Sequence, residues 1–145
     1  MRALEVVEAG DPRRLSELLR RALANDGPAV LPREPAADTA LGDRAIVAHS
    51  PVPAEVPKAV ALVVETSGSS GVPKRVMLSA DALLASAAGS EGALGGAGQW
   101  LLALPTHYVA GVQVLVRSIV AGTTPVLHPP GHFDPVRFVE LAREL

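Results

Sequence analysis

Nine consecutive residues, Thr66, Ser67, Gly68, Ser69, Ser70, Gly71, Val72, Pro73 and Lys74, contain four hydroxyls, two glycines and a lysine. Such a stretch has little to bury, but it can wrap an anion. Glycines let backbone N–H groups turn inward and approach a phosphate, and hydroxyls add further donors. Lys74 adds a mobile positive charge. The pattern is not the Walker A loop, which has four residues between its glycines and a Ser or Thr directly after the lysine. Here Gly68 and Gly71 are separated by two residues, and Arg75 follows Lys74. On composition alone, a Ser/Gly-rich surface loop is the other reading. A second candidate lies about 33 residues later, where Leu104, Pro105, Thr106 and His107 lead to Gly111. A histidine after a strand is often only a hydrogen-bonded structural residue.

The elements around these residues must hold them in place. Residues 59–65 are almost all apolar and rich in valine, which predicts a buried strand feeding the loop. Residues 75–78 alternate like a second strand, so the loop is expected to close a hairpin. Asp11-Pro12 and Asp134-Pro135 each pair a capping carboxylate with a proline at the first helical position. The first opens a helix carrying Leu15, Leu18, Leu19, Ala22 and Leu23, which ends at residues 25–28. The second opens one carrying Phe138, Leu141, Ala142 and Leu145. Ser79 caps a helix expected to run to Leu94, and Gly122 ends another that carries Val112, Leu115, Val116, Ile119 and Val120. Residues 29–31, 45–48, 99–104 and 124–128 read as strands, and residues 51–57, with three prolines, as extended chain. From residue 59 onward, strand and helix alternate. This predicts an α/β domain with a mostly parallel sheet flanked by helices.

The order T-S-G-S-S-G-x-P-K resembles the phosphate-binding loop of the adenylate-forming (AMP-binding) enzymes, whose usual form is [T/S]-S-G-[T/S]-[T/S]-G-x-P-K, and every fixed position matches. The strand ending in L-P-x-H-x-x-x-G resembles a second motif of that family. The resemblance covers about residues 55–145, and residues 1–54 carry little motif information. The wording of residues 102–138 resembles the acyl-CoA synthetase branch, in particular the o-succinylbenzoate–CoA ligases of menaquinone synthesis. What the resemblance implies is specific. Thr66, Ser67, Gly68, Ser69, Ser70, Gly71 and Lys74 would hold the nucleotide phosphates, and His107 would flank the acyl substrate rather than act as a general base. ATP, Mg²⁺ and CoA are the expected cofactors, and a small carboxylic acid the second substrate. A different acid is the alternative within the family, and a non-catalytic anion-binding or interaction module the alternative outside it. An open frame beyond codon 145 carrying the family's later motifs would discriminate between them.

The chain of 145 residues suits one domain, and 48 % hydrophobic content allows a core, aliphatic because only 3 % is aromatic. A net charge of −2 argues against a general nucleic-acid binder. The absence of cysteine excludes disulfides and thiolate metal sites. No apolar run approaches the ~20 residues of a membrane span, and a cytoplasmic location is expected. His49, His128 and His132 show no metal-ligand spacing and are read as structural. Neither Glu65 nor Glu91 has a paired carboxylate for acid–base work. The family's later adenine, ribose and hinge segments and its C-terminal catalytic lysine have no counterpart here. The chain therefore reads as a partial N-terminal domain, inactive alone and with no confident catalytic residue. The apolar stripe Phe138, Leu141 and Leu145 on its last helix and a sheet lacking later strands predict a homodimer that buries the C-terminal helix or an exposed sheet edge.

Overall fold

The computed structural model describes residues 1–34, 51–66 and 73–145. The strand expected at residues 45–48 and His49 lie outside these. In chain order the elements are β1 (Arg2–Glu8), α1 (Pro12–Leu23), β2 (Ala29–Arg33), β3 (Glu55–Val56), β4 (Val60–Thr66) and β5 (Lys74–Ser79). They continue with α2 (Ala80–Leu94), β6 (Leu101–Leu102), α3 (Val109–Ala121), β7 (Val126–Leu127) and α4 (Pro135–Ala142).

The capping signals form as read. Asp11 accepts hydrogen bonds from the amides of Arg13 and Arg14, both at 3.1 Å, and Asp134 from those of Val136 and Arg137 at 2.9 and 3.2 Å. Ser79 accepts from Ala82 N–H at 3.1 Å, and α2 ends on Gly95 at φ 86°.

The main sheet has the order β3-β1-β2-β4-β5. β1 pairs with β2 in parallel and β2 with β4 in parallel, but β3 runs antiparallel to β1 and β4 antiparallel to β5. The sheet is therefore mixed, which corrects the expectation of a mostly parallel one. The reason is connection length. Seven residues separate Thr66 from Lys74, too few for a crossover, which needs about a dozen, so the chain can only double back. Parallel pairing survives where a helix spans the gap, in β1-α1-β2 and in β6-α3-β7. The latter pair forms a separate two-stranded sheet, not an extension of the first.

β4 is buried on both faces, which accounts for its unbroken apolar run. On one side Leu62 and Val64 pack with Leu15 and Leu19 of α1, Leu83 and Ala87 of α2 and Val112 and Leu115 of α3. On the other, Val63 packs with Leu31, Val56 and Ala29. An irregular register between Val60 and Leu62 lets Ala61 and Leu62 join the same cluster. At the edge opposite the hairpin opening, the Arg2 guanidinium donates to the carbonyls of Ala22 (3.2 Å), Gly27 and Val60 (3.1 Å). α4 departs from its expected pattern. Leu141 is buried and Phe138 half-buried against Phe133, while Val136, Val139 and Leu145 are the exposed apolar side chains.

Candidate functional site

The anion-loop residues divide at the root of the β4–β5 hairpin. Thr66 and Lys74 face each other as its last pair, and the Thr66 hydroxyl donates to the Lys74 carbonyl at 3.3 Å. Ser67, Gly68, Ser69, Ser70 and Gly71 lie outside the described residues. Lys74 is exposed, and among the described residues its ammonium has no carboxylate within ion-pair distance.

One residue inward, the side chains point the other way, and the chemistry changes. Glu65 faces Arg75 across the hairpin. Arg33, at the end of β2, meets Glu65 with both ends of its guanidinium, Nε to Oε2 at 2.9 Å and Nη2 to Oε1 at 2.8 Å. Arg75 Nε donates to Oε1 at 3.0 Å and its Nη1 to the Pro51 carbonyl at 2.8 Å. All three side chains are 15–18 % exposed. The Arg33 hydrogen bond, opposed by desolvation and reinforced by the Arg75 hydrogen bond, holds the Glu65 carboxyl below its ordinary range. Its partners are guanidiniums 32 and 10 residues away, a pairing that local sequence does not show.

The second motif folds as a tight turn into α3. Tyr108 N–H donates to the Pro105 carbonyl at 3.3 Å, and α3 begins at Val109, three residues before the expected Val112. Gly111 explains the spacing of the motif. A Cβ there would lie 2.3 Å from the Pro105 oxygen and 3.0 Å from the Leu104 oxygen, so the first turn of α3 rests directly on the backbone of the turn. His107 is half-buried, with its ring 4.1 Å from that of the exposed Tyr108. Thr106 is 2 % exposed, and its hydroxyl donates to the Ala9 carbonyl at 2.8 Å. Ala9 follows β1 directly, and its own N–H donates to the Arg33 carbonyl at 2.8 Å. The two motif segments thus meet along the carboxyl ends of β1, β2 and β4, where ligands of open α/β sheets bind.

A cleft of about 540 Å³ lies elsewhere, between α1 and the approach to β7, lined by Arg13, Glu17, Arg20, Thr123 and Leu127 among others. It contains no residue of either motif. Among the described residues, no group of three His, Cys, Asp or Glu side chains could hold a metal ion, and no helix is long and apolar enough to cross a membrane.

The hairpin root at Thr66 and Lys74 and the turn that opens α3 are thus tied to the same end of the main sheet. The AMP-binding enzyme family matches residues 4–145, and the chain belongs to that family. It is 42% identical over 135 residues to a probable 2-succinylbenzoate–CoA ligase of Mycobacterium tuberculosis (strain CDC 1551 / Oshkosh), covering 92% of this chain and 34% of the relative. It is 34% identical over 93 residues to a sulfoacetate–CoA ligase of Cupriavidus necator (strain H16), covering 63% of this chain and 17% of the relative. Among solved structures, the luciferase-like enzyme of the nonluminescent mealworm Zophobas morio matches with a TM-score of 0.48 and 15% identity, over 98% of this chain and 34% of that one. The chain spans about a third of the length of the 2-succinylbenzoate–CoA ligase it matches.

Proposed function

We propose that the chain is the N-terminal part of an ATP-dependent carboxylate–CoA ligase that works through an acyl-adenylate, with o-succinylbenzoate as its acid and menaquinone synthesis as its setting. The observation that carries the reading is the family match over residues 4–145 together with the hairpin root at Thr66 and Lys74. In the proposed reaction a substrate carboxylate oxygen attacks the α-phosphorus of ATP and pyrophosphate leaves. The thiol of CoA then attacks the acyl carbon and AMP leaves. Thr66, Ser67, Gly68, Ser69, Ser70, Gly71 and Lys74 hold the β- and γ-phosphates, and the Lys74 charge offsets the negative charge that grows on the leaving pyrophosphate. His107 walls the acyl side. Among the described residues no group of three His, Cys, Asp or Glu side chains is placed to hold Mg²⁺; bound with the nucleotide, the ion would offset the charge of its phosphates. The 145 residues alone form no acyl-CoA; the remainder of the ligase supplies the adenine, ribose and thiol steps.

Similarity to a sulfoacetate–CoA ligase supports the same chemistry on a different acid. The test is acid-dependent exchange between pyrophosphate and ATP by the intact protein carrying this segment, followed by thioester formation with CoA. The expected result is exchange with 2-succinylbenzoate well above that with sulfoacetate. Exchange with another acid alone would replace the substrate. Pyrophosphate binding without any exchange would leave an anion-binding module.

A further inference from the structure

We infer that Thr106 and Glu65 are positioning residues in a hydrogen-bond chain that sets the acyl-side turn at a fixed distance from the phosphate hairpin. This inference rests on the ligase reading above. The links are Thr106 Oγ1 to Ala9 O at 2.8 Å, Ala9 N–H to Arg33 O at 2.8 Å, Arg33 to Glu65 at 2.8 and 2.9 Å, and Glu65 to Arg75 at 3.0 Å. Ala9 commits both of its backbone groups to the chain. The segments it joins are far apart in sequence: Thr106 lies 97 positions beyond Ala9, and Glu65 lies 32 beyond Arg33.

Each end of the chain is the neighbour of a residue assigned to the ligands. Thr106 precedes His107, Glu65 precedes Thr66, and Arg75 follows Lys74. In a strand, neighbours face opposite ways. Glu65 and Arg75 are therefore held on the inner face, while Thr66 and Lys74 are left on the other. Thr106 is likewise committed: a buried hydroxyl keeps its hydrogen bond because losing it leaves both groups desolvated and unpaired. The hydroxyl of Thr106 and the carboxylate of Glu65 therefore do not touch substrate. Adenylation requires the attacking carboxylate and the α-phosphorus at a fixed approach, and small misplacement is costly in rate. One rigid path from the acyl-side turn to the phosphate hairpin is the device that fixes that approach.

The experiment uses the intact protein carrying this segment and compares Thr106→Val, Thr106→Ser and Glu65→Gln. Thr106→Val keeps the shape and removes the hydroxyl; Thr106→Ser keeps the hydroxyl. We expect Thr106→Val to slow acid-dependent ATP–pyrophosphate exchange about tenfold at saturating substrates, with Thr106→Ser within about twofold of wild type, inside the range that misplacement produces. Amide hydrogen exchange supplies a second readout. Thr106→Val should raise exchange at residues 64–66 and 74–76, and Glu65→Gln should raise it at residues 106–112. A Thr106→Val protein that melts lower but turns over at the wild-type rate would overturn the inference. So would exchange changes confined to the mutated end. Reciprocal amide-exchange changes in the two variants, where the wild-type protein shows no ATP–pyrophosphate exchange with any carboxylate, would instead overturn the ligase reading, and the positioning role with it, while the chain itself stood.

Discussion

The two motif segments are held in place by different physics. The hairpin root is held by charge: two guanidiniums close on the Glu65 carboxylate beneath Thr66 and Lys74. The Leu104–Gly111 turn is held by shape: the backbone of Pro105 occupies the space where a side chain at 111 would stand. A charge-held segment responds to pH and salt and tolerates some change of side chain. A shape-held segment is indifferent to both and tolerates almost none. The hairpin root is thus the adjustable part, and the Leu104–Gly111 turn is the fixed frame.

The largest effect expected from this contrast is at Gly111. Gly111→Ala should cost about 3 kcal/mol, the upper end of overpacking penalties, because the clash is with backbone that cannot rotate away. Urea denaturation measures it, and a loss below about 1 kcal/mol would mean that the turn yields easily and is not shape-held. Next is Lys74→Ala, which should slow acyl-adenylate formation in the intact enzyme by about ten- to a thousandfold, the scale of losing one preorganised charge contact. A single-turnover assay decides; an unchanged rate removes Lys74 from the site.

Glu65→Gln should be milder, about 2 kcal/mol at neutral pH, since the amide keeps an acceptor but loses the charge that strengthens its hydrogen bonds. Its pH dependence is the sharper test. The carboxyl is held below its ordinary range in the folded protein, so its contribution is complete above that range and is lost as pH falls through the lowered folded value. The stability gap between wild type and Glu65→Gln should therefore be widest near neutrality and close in acid. A gap independent of pH would show that charge is not what holds the root.

The smallest effect on stability is expected at α4. Val136→Lys with Val139→Lys should change stability by less than about 0.5 kcal/mol, as exposed substitutions do. It should nonetheless convert any dimer to monomer by sedimentation, because these side chains carry the exposed apolar face of α4. Dimers that survive the change would place the contact elsewhere.

Local signals in the sequence were reliable where the physics is local. Asp11-Pro12, Ser79 and Asp134-Pro135 cap helices by bonding amides two or three residues away. The hairpin was legible because a short polar loop between two apolar runs has only one way to return. β1 was not legible. Its alternation is blurred, with Val7 buried and Val6 45% exposed, and it is a strand because β2 lies beside it. β2 was expected to stop at Leu31 but extends through Pro32 to Arg33, because its parallel pairing with β1 continues there, Pro32 opposite Val7 and Arg33 opposite Glu8. β6 and β7 are only two residues each, shorter than their apolar runs, because neither joins the main sheet. Of the site, the residue types of the anion loop and of the His107 turn were readable. The Arg33–Glu65–Arg75 cluster and the Thr106–Ala9 bond were not, because both join residues whose proximity exists only after folding.

The Arg2 clamp has a consequence in time. Its guanidinium needs carbonyls 20, 25 and 58 residues ahead of it. During synthesis β1 is made before the rest of its sheet, and its placing can finish only after Val60 has been synthesised and β4 has joined β2. Contacts of such long reach form late and slowly, since the intervening chain must be ordered before they can close. β1, made before the other strands of its sheet, is therefore among the last of them to lock, and until it does the Ala9 carbonyl has no fixed place to receive Thr106.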